Sequence, residues 1–297
     1  MTSSYKMFVY EIILWYFTCT GPFMILILLY ASELTFVLFE VLSSDIQSKA
    51  IHQARCLVAF MWSGYLNFWH NLSFRNLENI PRTGGVMLVW YHGPIPVDYF
   101  GLIAKVFSRD HRMVFSVVDK CLHMIPGLSR VQRHLQCESF SRVECASKLM
   151  DGAIIGVAPG GSREALFDDS YEVLWENRVG FAKVASFTQS PIIPIFSENI
   201  RNAYRTMETG RSFWRWVFEV TKLPLIPVYG GFPVEIVTHV GDPITAKVGE
   251  TAEQLQMRVR LEMLKLMKKN QRSEVIEDYG FIKTFSRKMS DTIIQSI

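Results

Sequence analysis

Two short segments hold the residue types that catalysis needs. The first is Trp90-Tyr91-His92-Gly93-Pro94-Ile95-Pro96-Val97-Asp98, directly after an apolar run, Val86 to Trp90, that reads as a strand. A histidine leaving a strand end, with an acid just inside the next helix, makes a usable pair. The carboxylate accepts from one ring nitrogen and fixes the tautomer, while the other nitrogen takes a proton from an attacking hydroxyl. The second is Ala158-Pro159-Gly160-Gly161-Ser162-Arg163-Glu164-Ala165-Leu166, after the strand-like run Ala153 to Val157. Two glycines at a strand end let backbone N–H groups approach an oxyanion or a phosphate. Taken singly, each has a plain structural reading: a histidine hydrogen bond in one, a tight turn with Arg163 and Glu164 as a solvated pair in the other.

Other templates fail. Glu164 occupies the last place of a Gly-x-Ser-x-Gly around Ser162, and no phosphate-binding loop, dinucleotide fingerprint or H-E-x-x-H is present.

The elements that must position these segments alternate. Val86 to Trp90, Met113 to Val118, Ala153 to Val157, Ile192 to Phe196 and Val234 to Val240 read as strands. Val97 to Phe107, Arg142 to Met150 and Asn177 to Thr188 have helical spacing, and Thr251 to Asn270 reads as a terminal helix. Strands separated by such helices imply an α/β fold, a mainly parallel helix-covered sheet with functional residues in the loops after the strands. In Arg211 to Lys222, Phe213, Trp216, Val217 and Val220 share one helical face. Two tryptophans flanked by arginines favour a membrane-surface helix over a core helix there.

The chain has 297 residues, 49% apolar and only 20% charged, with mean hydropathy +0.15. The apolar surplus sits at the N-terminus. Ile12 to Ser32 is uncharged and as a helix would extend roughly 31 Å, the thickness of a bilayer's hydrocarbon core. No signal-peptidase-like site follows it, so a retained anchor is expected, with Gly21-Pro22 kinking it or making it re-entrant. A second uncharged run, Cys56 to Phe74, either returns through the bilayer or lies along its surface. Residues 1–75 thus read as a membrane anchor of one or two helices and 76–297 as the catalytic domain. A net charge of +3 and the lack of a Lys/Arg stripe give no basis for nucleic-acid binding. Five dispersed cysteines read as reduced thiols.

Taken together the segments are more specific. The order Glu78-Asn79-Ile80-Pro81, His92…Asp98, Arg142, Pro159-Gly160-Gly161-Ser162-Arg163, Pro191-Ile192-Ile193-Pro194-Ile195 and Gly241-Asp242-Pro243-Ile244 resembles the glycerolipid acyltransferase superfamily. Within it, His92-Gly-x-Ile-Pro-x-Asp98, Pro-Gly-Gly-x-Arg-Glu-Ala-Leu and Arg178-x-Gly180-Phe181-Ala182 are most similar to the transmembrane protein 68 group, related to the type 2 diacylglycerol acyltransferases. Two departures stand out. Five residues separate His92 from Asp98 where the superfamily has four, and the acceptor loop has Gly160 where phosphate-accepting members carry glutamate.

The resemblance implies a membrane-bound O-acyltransferase of the endoplasmic reticulum, facing the cytosol and acylating mono- and diacylglycerol to triacylglycerol. It implies that His92 is the base, Asp98 its orienter, and that the hydroxyl attacks the acyl carbonyl without an acyl-enzyme. Pro159, Gly160, Gly161, Ser162, Arg163 and Glu164 would bind the acceptor or steady the oxyanion, and Arg142 would hold a donor phosphate. Lipids and the membrane are the implied partners. No metal or redox cofactor is implied, and acyl-CoA or a phospholipid would be the acyl-donor co-substrate. A lysophospholipid acyltransferase, a lipase with Ser162 as nucleophile and an inactive lipid-binding protein are the rival readings.

Overall fold

The computed structural model describes residues 2–42, 47–168 and 171–271, so residues 272–297 of the expected catalytic domain lie outside the described residues. Two long helices open the chain, α1 (Thr2–Leu42) and α2 (Gln47–His70). Then come β1 (Ser73–Arg75), β2 (Val86–Trp90), α3 (Val97–Asp110), β3 (Val114–Val117), α4 (Ser129–His134), β4 (Cys137–Glu138), α5 (Arg142–Met150) and β5 (Ile154–Val157). The second half comprises α6 (Gly161–Phe167), α7 (Gly180–Thr188), β6 (Ile192–Ser197), α8 (Ile200–Ala203), β7 (Tyr204–Thr206), α9 (Arg211–Thr221), β8 (Val228–Gly230), β9 (Val237–Val240) and α10 (Ala252–Asn270).

Among the described residues the main sheet runs β1-β9-β6-β2-β5-β3-β4, and a separate two-stranded ribbon joins β7 to β8. Every pair in the main sheet is parallel except β6 with β9. β2 is buried along its whole length, because helices cover both sheet faces and leave no solvent side for polar alternation. Val86, Leu88 and Trp90 face α3, with Leu102, Ile103 and Val106. Met87 and Val89 share the opposite core with Ala182 and Val184 of α7 and Leu255, Val259 and Met263 of α10. The α/β class read from the alternation is the one observed.

The N-terminal helices differ from expectation in detail. Gly21-Pro22 lies inside an uninterrupted α1. Gly21 serves close packing instead of a kink: a Cβ there would fall 1.7 Å from the Gly230 carbonyl oxygen in β8. Thr20–Leu42 is long and apolar enough to cross a membrane and overlaps the expected Ile12 to Ser32. Part of this stretch is bound to the catalytic half. Glu33 accepts from the backbone N–H groups of Arg130 and Val131, at 3.0 and 2.8 Å, at the start of α4. Glu40 meets Arg130 at 2.7 Å and His134 at 2.6 Å. Phe23, Ile27, Leu34 and Leu38 face outward. α2 buries Ala54, Val58, Trp62 and Leu66 while exposing Phe60 and Phe68. The Cys56 to Phe74 run thus falls on α2 and continues into β1.

Candidate functional site

The loops after β2, β5 and β6 converge at the carboxyl ends of the parallel strands, where open α/β sheets gather their ligands. His92 leaves β2 and is half-buried. Its Nδ1 lies 2.7 Å from the Gly93 carbonyl oxygen, so Nδ1 carries the hydrogen and Nε2 keeps its lone pair. Burial pushes the ring's pKa down to about 4; the Gly93 carbonyl opposes the shift and the Arg201 charge adds to it. The imidazole is therefore neutral at physiological pH, the form a base requires.

The expected His92–Asp98 hydrogen bond is not made: Nδ1 is held by Gly93, its immediate neighbour along the chain. The extra residue is absorbed by a tight turn in which the Val97 N–H donates to the Ile95 carbonyl at 2.9 Å. Asp98, the second residue of α3, is only 4% exposed, and its Oδ1 has no hydrogen-bond partner among the described residues. Burial raises its pKa to about 6, against hydrogen bonds from the Ser197 hydroxyl and the backbone N–H groups of Tyr99 and Asp98 itself.

The turn after β5 departs from the solvated pair. Glu164 is fully buried, and its oxygens accept from the backbone N–H groups of His92 at 3.0 Å and Leu174 at 3.1 Å. It reaches these amides from the buried side of α6, which it shares with Ala165 and Leu166. Through these two hydrogen bonds it holds the histidine's backbone. Burial raises its pKa to about 7, opposed by those two N–H groups and by Arg201. Arg163 points the other way, pairing with Glu176 and, at 3.1 Å, with Glu219 of α9. Glu164 does not neutralise it. No hydrogen bond joins Ser162 to His92 among the described residues, so the base–nucleophile contact of a serine lipase is absent.

A cavity of about 260 Å³ opens beside the turn, with Arg142, Arg178, Pro159, Phe140 and Phe181 in its wall. Arg178 donates to the Pro159 carbonyl at 2.9 Å. Arg142, the first residue of α5, has no carboxylate partner among the described residues.

A family model described as Acyltransferase matches residues 71–198. Proteins of Bos taurus and Homo sapiens, both described as "DGAT1/2-independent enzyme synthesizing storage lipids", are 36% identical over 262 residues. The alignments cover 88% of this chain and 77% and 79% of those proteins. This chain belongs to the glycerolipid acyltransferase superfamily. The acyltransferase also resembles the 1-acyl-sn-glycerophosphate (LPA) acyltransferase PlsC of Thermotoga maritima, with TM-score 0.52 over 87% of this chain and 92% of that one at 18% identity, a likeness of fold.

The loop glycine of this acyltransferase now has a physical reason. Gly160 has an ordinary φ of −68°, but a Cβ on it would lie 2.3 Å from Glu164 Cδ and Oε2. The space beside the second motif position is filled by a carboxylate from four residues further on.

Sequence reasoning missed the buried network behind the acyltransferase site. Arg201, at the start of α8, donates to the Glu164 carbonyl at 2.6 Å and the His92 carbonyl at 3.5 Å, and it lies 3.5 Å from Asp168. Its Nε donates to the Tyr91 hydroxyl, which in turn donates to Asp168. The available signals were Tyr91 beside the histidine and a lone arginine just past an apolar strand.

Proposed function

We propose that this acyltransferase moves a fatty acyl group onto a hydroxyl of mono- or diacylglycerol, making triacylglycerol, at the cytosolic face of the endoplasmic reticulum membrane. The observation that carries this reading is the pairing of Arg163. A loop guanidinium already met by Glu176 and Glu219 has little free charge for an acceptor phosphate, which suits a neutral glycerol headgroup. The storage-lipid description of the relatives supports the same substrate class.

In the proposed reaction His92 Nε2 removes the acceptor's hydroxyl proton as that oxygen attacks the acyl carbonyl. The tetrahedral oxyanion is steadied at the Pro159–Ser162 turn. It then collapses, the ester bond replaces the donor's acyl bond, and the imidazolium returns its proton to the departing thiolate or alkoxide. The buried, unpartnered Oδ1 of Asp98 is the acceptor proposed for the Nδ1–H once the ring charges. Such pairing would raise the histidine's basicity during turnover. Arg142, with Arg178 at the same cavity, is assigned to the phosphates of an acyl-CoA or phospholipid donor.

That cavity also favours a second reading, a phosphate-bearing acceptor such as lysophosphatidic acid. The deciding experiment compares acylation of diacylglycerol and lysophosphatidic acid by the full chain in matched mixed micelles with acyl-CoA. Faster diacylglycerol turnover supports the neutral-lipid reading. A ratio favouring lysophosphatidic acid replaces it with the second.

A further inference from the structure

Helix α9 is amphipathic in an unusual direction. Trp214 packs inward with Ala165, Leu166 and Ile226, and Phe218 contacts Phe167 with ring centroids 5.5 Å apart. Three of its other apolar residues face out of the protein, with Phe213 57% exposed, Trp216 63% and Val220 65%, while Val217 is partly buried; Leu225, just beyond the helix, is 53% exposed. No core residue is buried on α9. Leaving such large apolar side chains in water is unfavourable, and Trp beside Arg and Lys is the composition that bilayer interfaces select. Arg215 lies among them and Lys222 closes the helix.

We infer that the Phe213–Trp216–Val220 face of α9 lies in the surface of a bilayer containing anionic phospholipid, and that it docks the acceptor loop on that surface. Continuity with the candidate membrane helix identifies the occupant. Six residues, 222–227, connect α9 to β8, and the Gly230–Gly231 backbone at the end of that strand packs directly against Gly21 of α1. The Trp69 indole of α2 donates to the Gly231 carbonyl at 2.7 Å, fastening the residue that follows β8. Chemistry points the same way: three of the four charged residues between Arg211 and Lys222 are basic, matching anionic headgroups. The other side of α9 is tied to the site, through Arg163 on Glu219 at 3.1 Å and Phe167 on Phe218. Lipid contact by α9 thus holds the Pro159–Glu164 turn at the depth where a diacylglycerol hydroxyl resides. This rests on the membrane-embedded reading of α1, and the test separates the two.

The full chain is reconstituted into vesicles of phosphatidylcholine and phosphatidylserine, with or without brominated acyl chains, alongside a Trp216→Phe variant. Flotation reports the anchor. The difference in emission between wild type and variant reports Trp216 alone, and bromine quenching of that difference is the expected result. A Phe213→Asp/Trp216→Asp variant should still float. It should acylate vesicle-borne diacylglycerol at least about tenfold more slowly, since two large side chains lose their lipid burial. With short-chain substrates dispersed in detergent it should match the wild type. Protein that floats with an unquenched Trp216 overturns the α9 assignment and leaves the anchor standing. Protein that does not float overturns both. Equal loss of activity in vesicles and detergent also overturns it, by making the two aromatics structural.

Discussion

Glu164→Gln separates the stability of this acyltransferase from its activity. Burial raises the Glu164 pKa from 4.5 to about 7. The folded state therefore holds a proton that the unfolded chain releases across that window, and stability contributed by this group falls as pH rises from about 4.5 to about 7. At about 1.4 kcal/mol per pH unit the loss is about 3 kcal/mol, complete above pH ~7. Glutamine keeps the shape and cannot ionise. Near pH 5 the protonated acid and the amide are alike, each offering one acceptor to the two N–H groups of His92 and Leu174. Near pH 8 the variant should be the more stable by up to about 3 kcal/mol, which raises its melting temperature by about 5–10 °C relative to wild type. Turnover should move oppositely, because only the ionised carboxylate accepts from both amides and fixes the histidine's backbone. The assay is scanning fluorimetry of both proteins in one detergent from about pH 5 to pH 8, with acyl transfer measured alongside. A melting difference that does not change with pH would refute the buried, proton-holding carboxylate.

His92→Ala should reduce acyl transfer by about 10²–10⁴-fold with expression and membrane recovery unchanged, measured as triacylglycerol formed per unit protein in purified membranes. If ionised Asp98 orients the ring, wild-type turnover should fall as pH drops through about 6, and Asp98→Asn should be slow with that limb missing. Gly160→Ala should unfold at lower temperature and lose activity, because its Cβ would sit 2.3 Å from the Glu164 carboxyl group; a fully active variant would show that the turn yields freely. Arg142→Ala should raise KM for acyl-CoA with kcat held, and an unchanged KM would remove Arg142 from the donor site. In sealed microsomes a C-terminal tag should be open to added protease, as a cytosolic domain requires, and full protection would reverse that orientation.

The strands that lead into the candidate site were legible because β2, β5 and β6 are apolar runs followed closely by proline, glycine or a polar residue, and nothing in tertiary packing competes with that pattern. β9 was placed within three residues of its start, yet its antiparallel pairing with β6 leaves no mark on local hydrophobicity. The His92 and Gly160 segments were legible as motifs, whereas the partners of their side chains were not. Glu164 looked like surface charge because it follows Arg163 in a charged pair, whereas successive helix positions lie about 100° apart and so place Arg163 on Glu176 and Glu219 and Glu164 in the interior. Arg201 escaped because its meaning depends on groups 37 and 109 residues away in the chain.

The contact between α1 and α4 has a consequence for how this enzyme can exist. Glu33 terminates the N-terminal N–H groups of α4, Glu40 engages Arg130 and His134, and Ser32 accepts from the Trp62 indole at 3.1 Å. The segment that would hold the protein in lipid is also a structural strut of the α/β part. Cutting it away would strand amides that need a carboxylate and uncover the apolar faces of α2. A protease cut within α1 should therefore unfold the remainder of the protein instead of releasing an active fragment.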